Sequence, residues 1–256
     1  MGKTQVDLNC DMGESFGVYS IGNDEAIMAH ITSANIACGF HAGDPTVMRK
    51  TIALAKQFGV GAGVHPGYPD LAGFGRRPMS LTPEEVYDMC VYQIGAFLGV
   101  AHSQQAHVTH FKAHGALYNA AAVDINLASA MARAVRAVDN SLVFVGLAGS
   151  KMIEAGETEG LQVAHEVFAD RAYLADGNLV PRRHPAAVHK CTDVAVAQVL
   201  SMLTTGTVTA LTGEHVSIKA DSICLHGDGA HAIEFAQAIN QALTDKGIKI
   251  SGFKRR

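Results

Sequence analysis

The chain has 256 residues, 48% apolar and only 17% charged, enough to bury a sizeable core. Its net charge of −4 argues against a nucleic-acid surface, and no apolar run reaches membrane-spanning length. Five cysteines without a CxxC fit a reducing compartment, and the N-terminus lacks a signal pattern, so the expectation is a soluble cytoplasmic protein.

The stretch Val6 to Glu14 opens as a strand that alternates with period two. Val6, Leu8 and Cys10 share one face, and Asp7, Asn9 and Asp11 the other, with Glu14 just beyond. Asp24 is placed to cap a short helix over 25–30. A second strand over 33–38 puts Ser33, Asn35 and Ala37 on one face and ends in Gly39-Phe40-His41. A helix over 45–58 opens at Pro45 and stops at Gly59. The third strand, 60–65, leads into a turn-rich loop from His65-Pro66-Gly67 through Arg76-Arg77. Thr82-Pro83-Glu84-Glu85 starts a helix reaching about residue 102.

The fourth strand, 108–113, aligns His110 with Lys112, and His114 follows. A helix over 119–138 is interrupted near Val123-Asp124, and a fifth strand over 142–147 is apolar throughout. After a short helix at 150–155, the sixth strand, 163–168, carries Glu166, and a loop over 169–190 follows. A helix over 193–203 precedes a hairpin of 208–211 with 216–218. The seventh strand, 222–226, ends in Gly227-Asp228, and a helix over 230–246 closes the chain before the short solvated tail Lys254-Arg255-Arg256. Cys10, Cys38 and Cys224 read as small buried hydrophobes in strands.

Alternating βα units imply a parallel sheet. An open doubly wound sheet gathers its site at one switch point, whereas a barrel collects side chains from every strand at one mouth. Inward polar groups on strands one, two, four, six and seven favour the barrel. The expectation is one domain over 1–256, a seven-stranded βα (TIM-like) barrel with a small accessory hairpin.

Four groups carry chemistry. Asp11, His41 and His65 could hold zinc or another divalent ion. Lys112, with His110 and His114, could serve an oxyanion or phosphate as a cation, act as a base if desolvated, or form a buried ion pair with Asp7 or Glu166. The loop carrying Asp170, Arg171, Arg182 and Arg183 suits carboxylates and phosphates, or a contact to another protein chain. Asp7 and Asp11, with Glu166 and Asp228 opposite, could form an acid/base pair or coordinate magnesium. The sequence has no Walker A motif, no GxGxxG and no GxSxG, so a nucleotide would need another kind of site.

Six blocks together resemble the LamB/YcsF family. They are Asp7-Leu8-Asn9-Cys10-Asp11-Met12-Gly13-Glu14, Ala34 to Asp44, His65 to Asp70 with Gly73 to Arg77, Lys112 to Asn119, Glu166 to Arg171, and Leu225 to Asp228. The resemblance spans essentially the whole chain in order. It implies a barrel of the glycoside hydrolase/deacetylase type. It also implies one component of a bacterial enzyme that opens 5-oxo-L-proline to L-glutamate with hydrolysis of ATP, beside partner subunits B and C. ATP is then an expected ligand, with magnesium or another divalent metal. A phosphorylated amide oxygen makes the lactam electrophilic, which calls for cations, a base and a clamp for the substrate carboxylate. The expected catalytic set is Asp11, His41, Lys112, Asp170 and Arg171. Lys112 or Arg171 would bind the anion, and Asp11 or His41 would activate water. Asp7, Asn9, Glu14 and Asn35 would contact substrate, as would His65, His114 and Glu166. Two other classes remain open: a stand-alone metal-dependent deacetylase-like hydrolase, and a non-catalytic partner subunit.

Overall fold

Period-two alternation at the start of the chain becomes β1 (Gln5–Met12) in the computed structural model, which describes residues 4–225 and 232–254. The elements that follow are α1 (Asp24–Met28), β2 (Ser33–Ala37), α2 (Pro45–Phe58), β3 (Gly61–His65) and a 3₁₀ turn at Leu71–Gly73. Next come α3 (Pro83–Ser103), β4 (Val108–Lys112), α4 (Gly115–Val123), α5 (Ile125–Asp139), β5 (Val143–Leu147), α6 (Lys151–Thr158) and β6 (Val163–Phe168). The chain continues with α7 (Thr192–Thr204), β7 (Thr207–Thr209), β8 (His215–Ser217), β9 (Ser222–Leu225), α8 (Ala232–Asp245) and β10 (Lys249–Ile250). The expected turn with Gly227 and Asp228 lies outside the described residues, as do the start of the last helix and Arg255-Arg256.

Local chemistry sets the helix ends. Asp44 caps α2 by accepting from the Thr46 and Val47 amides, and Gly59 ends it in the left-handed region. Thr82 and Glu85 form a capping box on α3. The break expected near 123–124 is real: Asp124 ends α4 and accepts from the Asn126 amide to start α5. Asp24 does not cap α1. Asn23 does, while the Asp24 carboxylate accepts from Gly13 N–H at 2.9 Å.

Seven parallel strands run β1-β2-β3-β4-β5-β6-β9, and β9 pairs back onto β1, so the sheet is a closed barrel. The antiparallel β7–β8 hairpin lies outside it, as expected. β10, which the pattern did not reveal, adds in parallel to the first two residues of β1. The apolar core fills the space between barrel and helices, with Phe97, Phe111 and Phe144 fully buried. Cys10, Cys38, Cys90 and Cys224 are buried free thiols.

Inside the barrel the filling is polar, and its hydrogen bonds close on one another. Asp7 accepts from Thr32 Oγ1 at 2.7 Å, from Ser33 Oγ at 2.6 Å and from the Ser222 hydroxyl. Asn9 Nδ2 donates to Ser222 Oγ and to Glu166 Oε1. Asn35 Nδ2 donates to Asn9 Oδ1 at 2.7 Å and to Asp11 Oδ1 at 2.9 Å, and Asn35 Oδ1 pairs with His110 Nε2 at 2.8 Å. His110 lies flat against β3 because residue 63 is glycine: a Cβ there would stand 2.0 Å from His110 Nε2.

Burial pushes the Asp7 carboxyl from 3.8 up to about 6, although three hydroxyl donors favour its ionised form. The folded state therefore holds its proton more tightly than the unfolded chain. This contribution to stability is complete below pH about 4 and is lost as pH rises to about 6. Between pH 4.5 and 7.5 the unfolding free energy of Asp7→Asn, read by urea denaturation, should gain on wild type by about 2 kcal/mol. A pH-independent difference would contradict the shift.

Candidate active site

The carboxyl ends of the barrel strands open into a cavity of about 990 Å³. Asp11 and Glu14 reach it from the end of β1, Lys112 and His114 from β4, and Arg171 from the loop after β6. Arg76 and Arg77 line one wall, and Arg182 and Arg183 another, with Tyr118 and Asn119 from α4.

Lys112 is the last residue of β4 and is 3% exposed. Its Nζ lies 2.8 Å from Glu166 Oε1, 2.9 Å from Asp11 Oδ1 and 3.1 Å from Asn9 Oδ1, with Cys224 Sγ at 3.3 Å. Burial works against its charge, but the Asp11 and Glu166 carboxylates outweigh that and raise the ammonium well above the usual lysine value. Lys112 is thus a fixed cation and not a base. The buried ion pair weighed from sequence exists with Glu166 and Asp11, not with Asp7. For Asp11, burial alone would raise the carboxyl. His65 and Lys112 overcome it and hold the carboxyl well below its usual range, so Asp11 is a carboxylate at the cavity floor.

Above this pair stand three imidazoles. His65 Nδ1 is 2.8 Å from the Lys112 carbonyl, and its Nε2 is 3.0 Å from His114 Nδ1 and 3.3 Å from Asp11 Oδ2. His114 Nε2 is 2.9 Å from the Phe74 carbonyl. His41 stacks on His114, ring centroids 3.9 Å apart and nearly parallel. Burial pushes the His114 imidazole down to about 3 and that of His41 well below its usual value. Glu14 Oε1 lies 3.5 Å from His114 Nδ1 and 3.8 Å from His41 Nε2. Glu14, His41, His65 and His114 offer ligand atoms within 4.8 Å of one another, so they are the residues that could hold a metal. This set keeps His41 and His65 of the expected ligands and replaces Asp11 by Glu14 and His114.

The loops that carry these rings are pinned by backbone bonds. His114 N–H donates to the Pro66 carbonyl, Ala116 N–H to the Gly75 carbonyl, and Gln93 grips both polar groups of Gly67. Gly75 has φ +60, and a Cβ there would meet His41 at 2.7 Å and His114 at 2.9 Å.

Several expected substrate contacts lie elsewhere. Asp7, Asn9, Asn35 and Glu166 do not line the cavity; they sit in the barrel interior, where Asn9, Asn35 and Glu166 hold Asp11 and Lys112 and Asp7 bonds to Thr32, Ser33 and Ser222. Arg171 is buried and donates to the Ala187 and Val180 carbonyls, fastening the loop after β6. Its burial and the nearby Arg182 charge lower its guanidinium to about 10. Asp170 lies at the bend beside it and is not on the cavity wall. Sequence reasoning missed Gln93 and Asp24 as positioning residues. Gln93 had a signal, since it is polar on a helix face whose neighbours Met89, Cys90, Ile94 and Phe97 are all buried.

The LamB/YcsF family model matches residues 6–256. The chain belongs to this family. Within it, the chain is 56% identical to the 5-oxoprolinase A subunit of Bacillus subtilis (strain 168), covering 98% of each chain. It is 58% identical to the 5-oxoprolinase A subunit of Tolumonas auensis over 96% of this chain and 98% of that one. The crystal structure of the lactam utilization protein from Thermus thermophilus superposes with a TM-score of 0.92 at 43% identity, covering 97% of this chain and 100% of that one. No helix among the described residues is long and apolar enough to cross a membrane.

Removing one member of a buried ion pair leaves the other uncompensated. Lys112→Met should therefore lower the unfolding free energy by about 3–5 kcal/mol, measured by chemical denaturation at neutral pH. A loss under about 1 kcal/mol would be the signature of a solvated pair.

Proposed function

We propose that this chain is the lactam-opening component of an ATP-dependent 5-oxoprolinase, acting in the cytoplasm with subunits B and C. The observation that carries the reading is the ionised Asp11 carboxylate fixed beside the Lys112 ammonium on the floor of the cavity. The relatives, named as the A component of 5-oxoprolinase, supply the substrate, and the five cysteines, all free thiols, fit the compartment.

A five-membered lactam resists water because its amide carbon is a poor electrophile. Transfer of the γ-phosphoryl group from ATP to the amide oxygen leaves ADP and a phosphorylated imidate, to which water adds. Asp11 Oδ2 faces upward and accepts the water proton, while Oδ1 stays bonded to Lys112 and Asn35. Breaking the ring C–N bond gives the free amine and a γ-acyl phosphate, which a second water hydrolyses to L-glutamate and phosphate. Lys112 stabilises the negative charge that develops at the floor. Arg76, Arg182 and Arg183 on the walls suit the substrate carboxylate and the nucleotide phosphates, with magnesium accompanying the nucleotide.

The cluster of Glu14 with three histidines favours a second reading, a metal-dependent amide hydrolase that works alone. Glutamate release from 5-oxoproline, with and without ATP, for the chain alone and with subunits B and C, separates the two. Turnover should need ATP and both partners, and Asp11→Asn should slow it by about 10²–10⁴-fold. ATP-independent turnover by the chain alone would select the second reading. Full activity of Asp11→Asn would remove Asp11 as the base.

A further inference from the structure

We propose that Glu14, His41, His65 and His114 form a built site for one divalent cation of the zinc class at the barrel mouth. Two backbone carbonyls make the case. Lys112 O and Phe74 O can only accept, so His65 Nδ1 and His114 Nε2 must carry the hydrogens that reach them. The other nitrogens, His65 Nε2 and His114 Nδ1, face each other at 3.0 Å, with Asp11 Oδ2 3.3 Å from His65 Nε2. A divalent cation held by both nitrogens takes the place of the proton that would otherwise bridge them. A backbone acceptor on the far nitrogen is also what orients a metal-ligating histidine.

His41 is the second, independent observation. It is completely buried, and neither ring nitrogen has a hydrogen-bond partner among the described residues. An unmet buried polar group is costly, and ligation through Nε2, the nitrogen nearer Glu14, removes one such cost. Gly67 presses against the opposite side of the ring, where a Cβ would lie 2.5 Å from Nδ1. The ring is therefore held with Nε2 toward the cluster.

Donor chemistry selects the ion. Three imidazoles and one carboxylate suit zinc, cobalt or nickel, whereas magnesium and calcium take oxygen ligands. The site is distinct from any magnesium that travels with a nucleotide. It borders the cavity through Glu14 and His114 and adjoins Asp11 through His65. A cation there would polarise an oxygen of a substrate seated in the adjoining cavity. That role rests on the lactam-opening reading; the binding itself does not.

The test uses the full chain without a histidine tag. Metal content is measured by mass spectrometry as purified, and cobalt(II) is titrated into chelator-treated protein. The expected result is one equivalent bound, with the visible absorption of a four-coordinate nitrogen–oxygen site and a raised melting temperature. His65→Gln and His114→Gln should each weaken binding by about 10²-fold, while His102→Gln, on the exposed face of α3, should bind as wild type. If a histidine variant does not fold, Glu14→Gln at the cavity edge provides the same comparison. Less than one equivalent bound by folded wild type, or undiminished binding in the folded site variants, overturns the site. One bound equivalent without glutamate release from the assembled enzyme would leave the site standing and remove the lactam-opening reading instead.

Discussion

The Lys112 ammonium is the charge on which the inside of the barrel depends. A buried cation costs several kcal/mol in lost hydration unless its hydrogens all find acceptors. Here the acceptors come from two other strands: Asn9 and Asp11 from β1 and Glu166 from β6. Glu166 and Asn9 are bonded in turn, and Asn9 continues to Ser222 on β9 and, through its carbonyl, to Asn35 on β2. The network that neutralises Lys112 therefore continues, through Asn9 and Ser222, across the seam where β9 closes onto β1. Charge satisfaction and barrel closure are one requirement. A partly satisfied network would cost more than an apolar filling, which explains why almost every inward group has a defined partner.

This separates the side chains that line the cavity from those that position them. Asp7, Asn9, Asn35, Glu166 and His110 form the lower tier, buried and bonded to one another or, for Asp7, to Ser33 and Ser222. Asp11, Glu14, Lys112 and His114 form the upper tier at the cavity. Rigidity in the upper tier comes from outside the barrel as well. Asp24 holds the Gly13 amide before Glu14, and Gln93 on α3 holds Gly67 after His65. Electrostatic stabilisation works only when the charges do not reorganise, so these remote bonds belong to the chemistry as much as to the fold.

What was legible in the sequence follows from range. The alternation of Asp7, Asn9 and Asp11 along β1 is a local pattern, and it correctly placed three polar groups inside a barrel. The caps at Asp44 and Thr82 and the break at Asp124 are equally local. Which partner each polar group would choose was not legible. Asn9 meets Glu166 across 157 residues and Ser222 across 213. No periodicity encodes that choice, so residues that support the cavity and residues that line it looked alike. The candidate ligand set was ambiguous for the same reason: Asp11 and Glu14 lie near each other in sequence, and only the folded barrel brings Glu14 together with His41, His65 and His114. Arg171 read as an anion binder by type, yet its loop needs it to hold two carbonyls. β10 escaped notice because two residues carry too little pattern.

Asp11 stands where the two tiers meet, and its two oxygens do different work. Oδ1 accepts from Lys112 and Asn35, which fixes the carboxylate's position and keeps it ionised. Oδ2 points to His65 and the cavity side. A general base needs this division, since an oxygen committed to a buried ammonium is poorly placed to take a proton, while an unanchored carboxylate would lose its aim. Exchanging Lys112 for a neutral residue would leave Oδ1 to Asn35 alone and remove one of the two neighbours, with His65, that keep Asp11 ionised in a buried setting. The ion pair is therefore a condition for the proposed role of Asp11 as base and not a competitor with it.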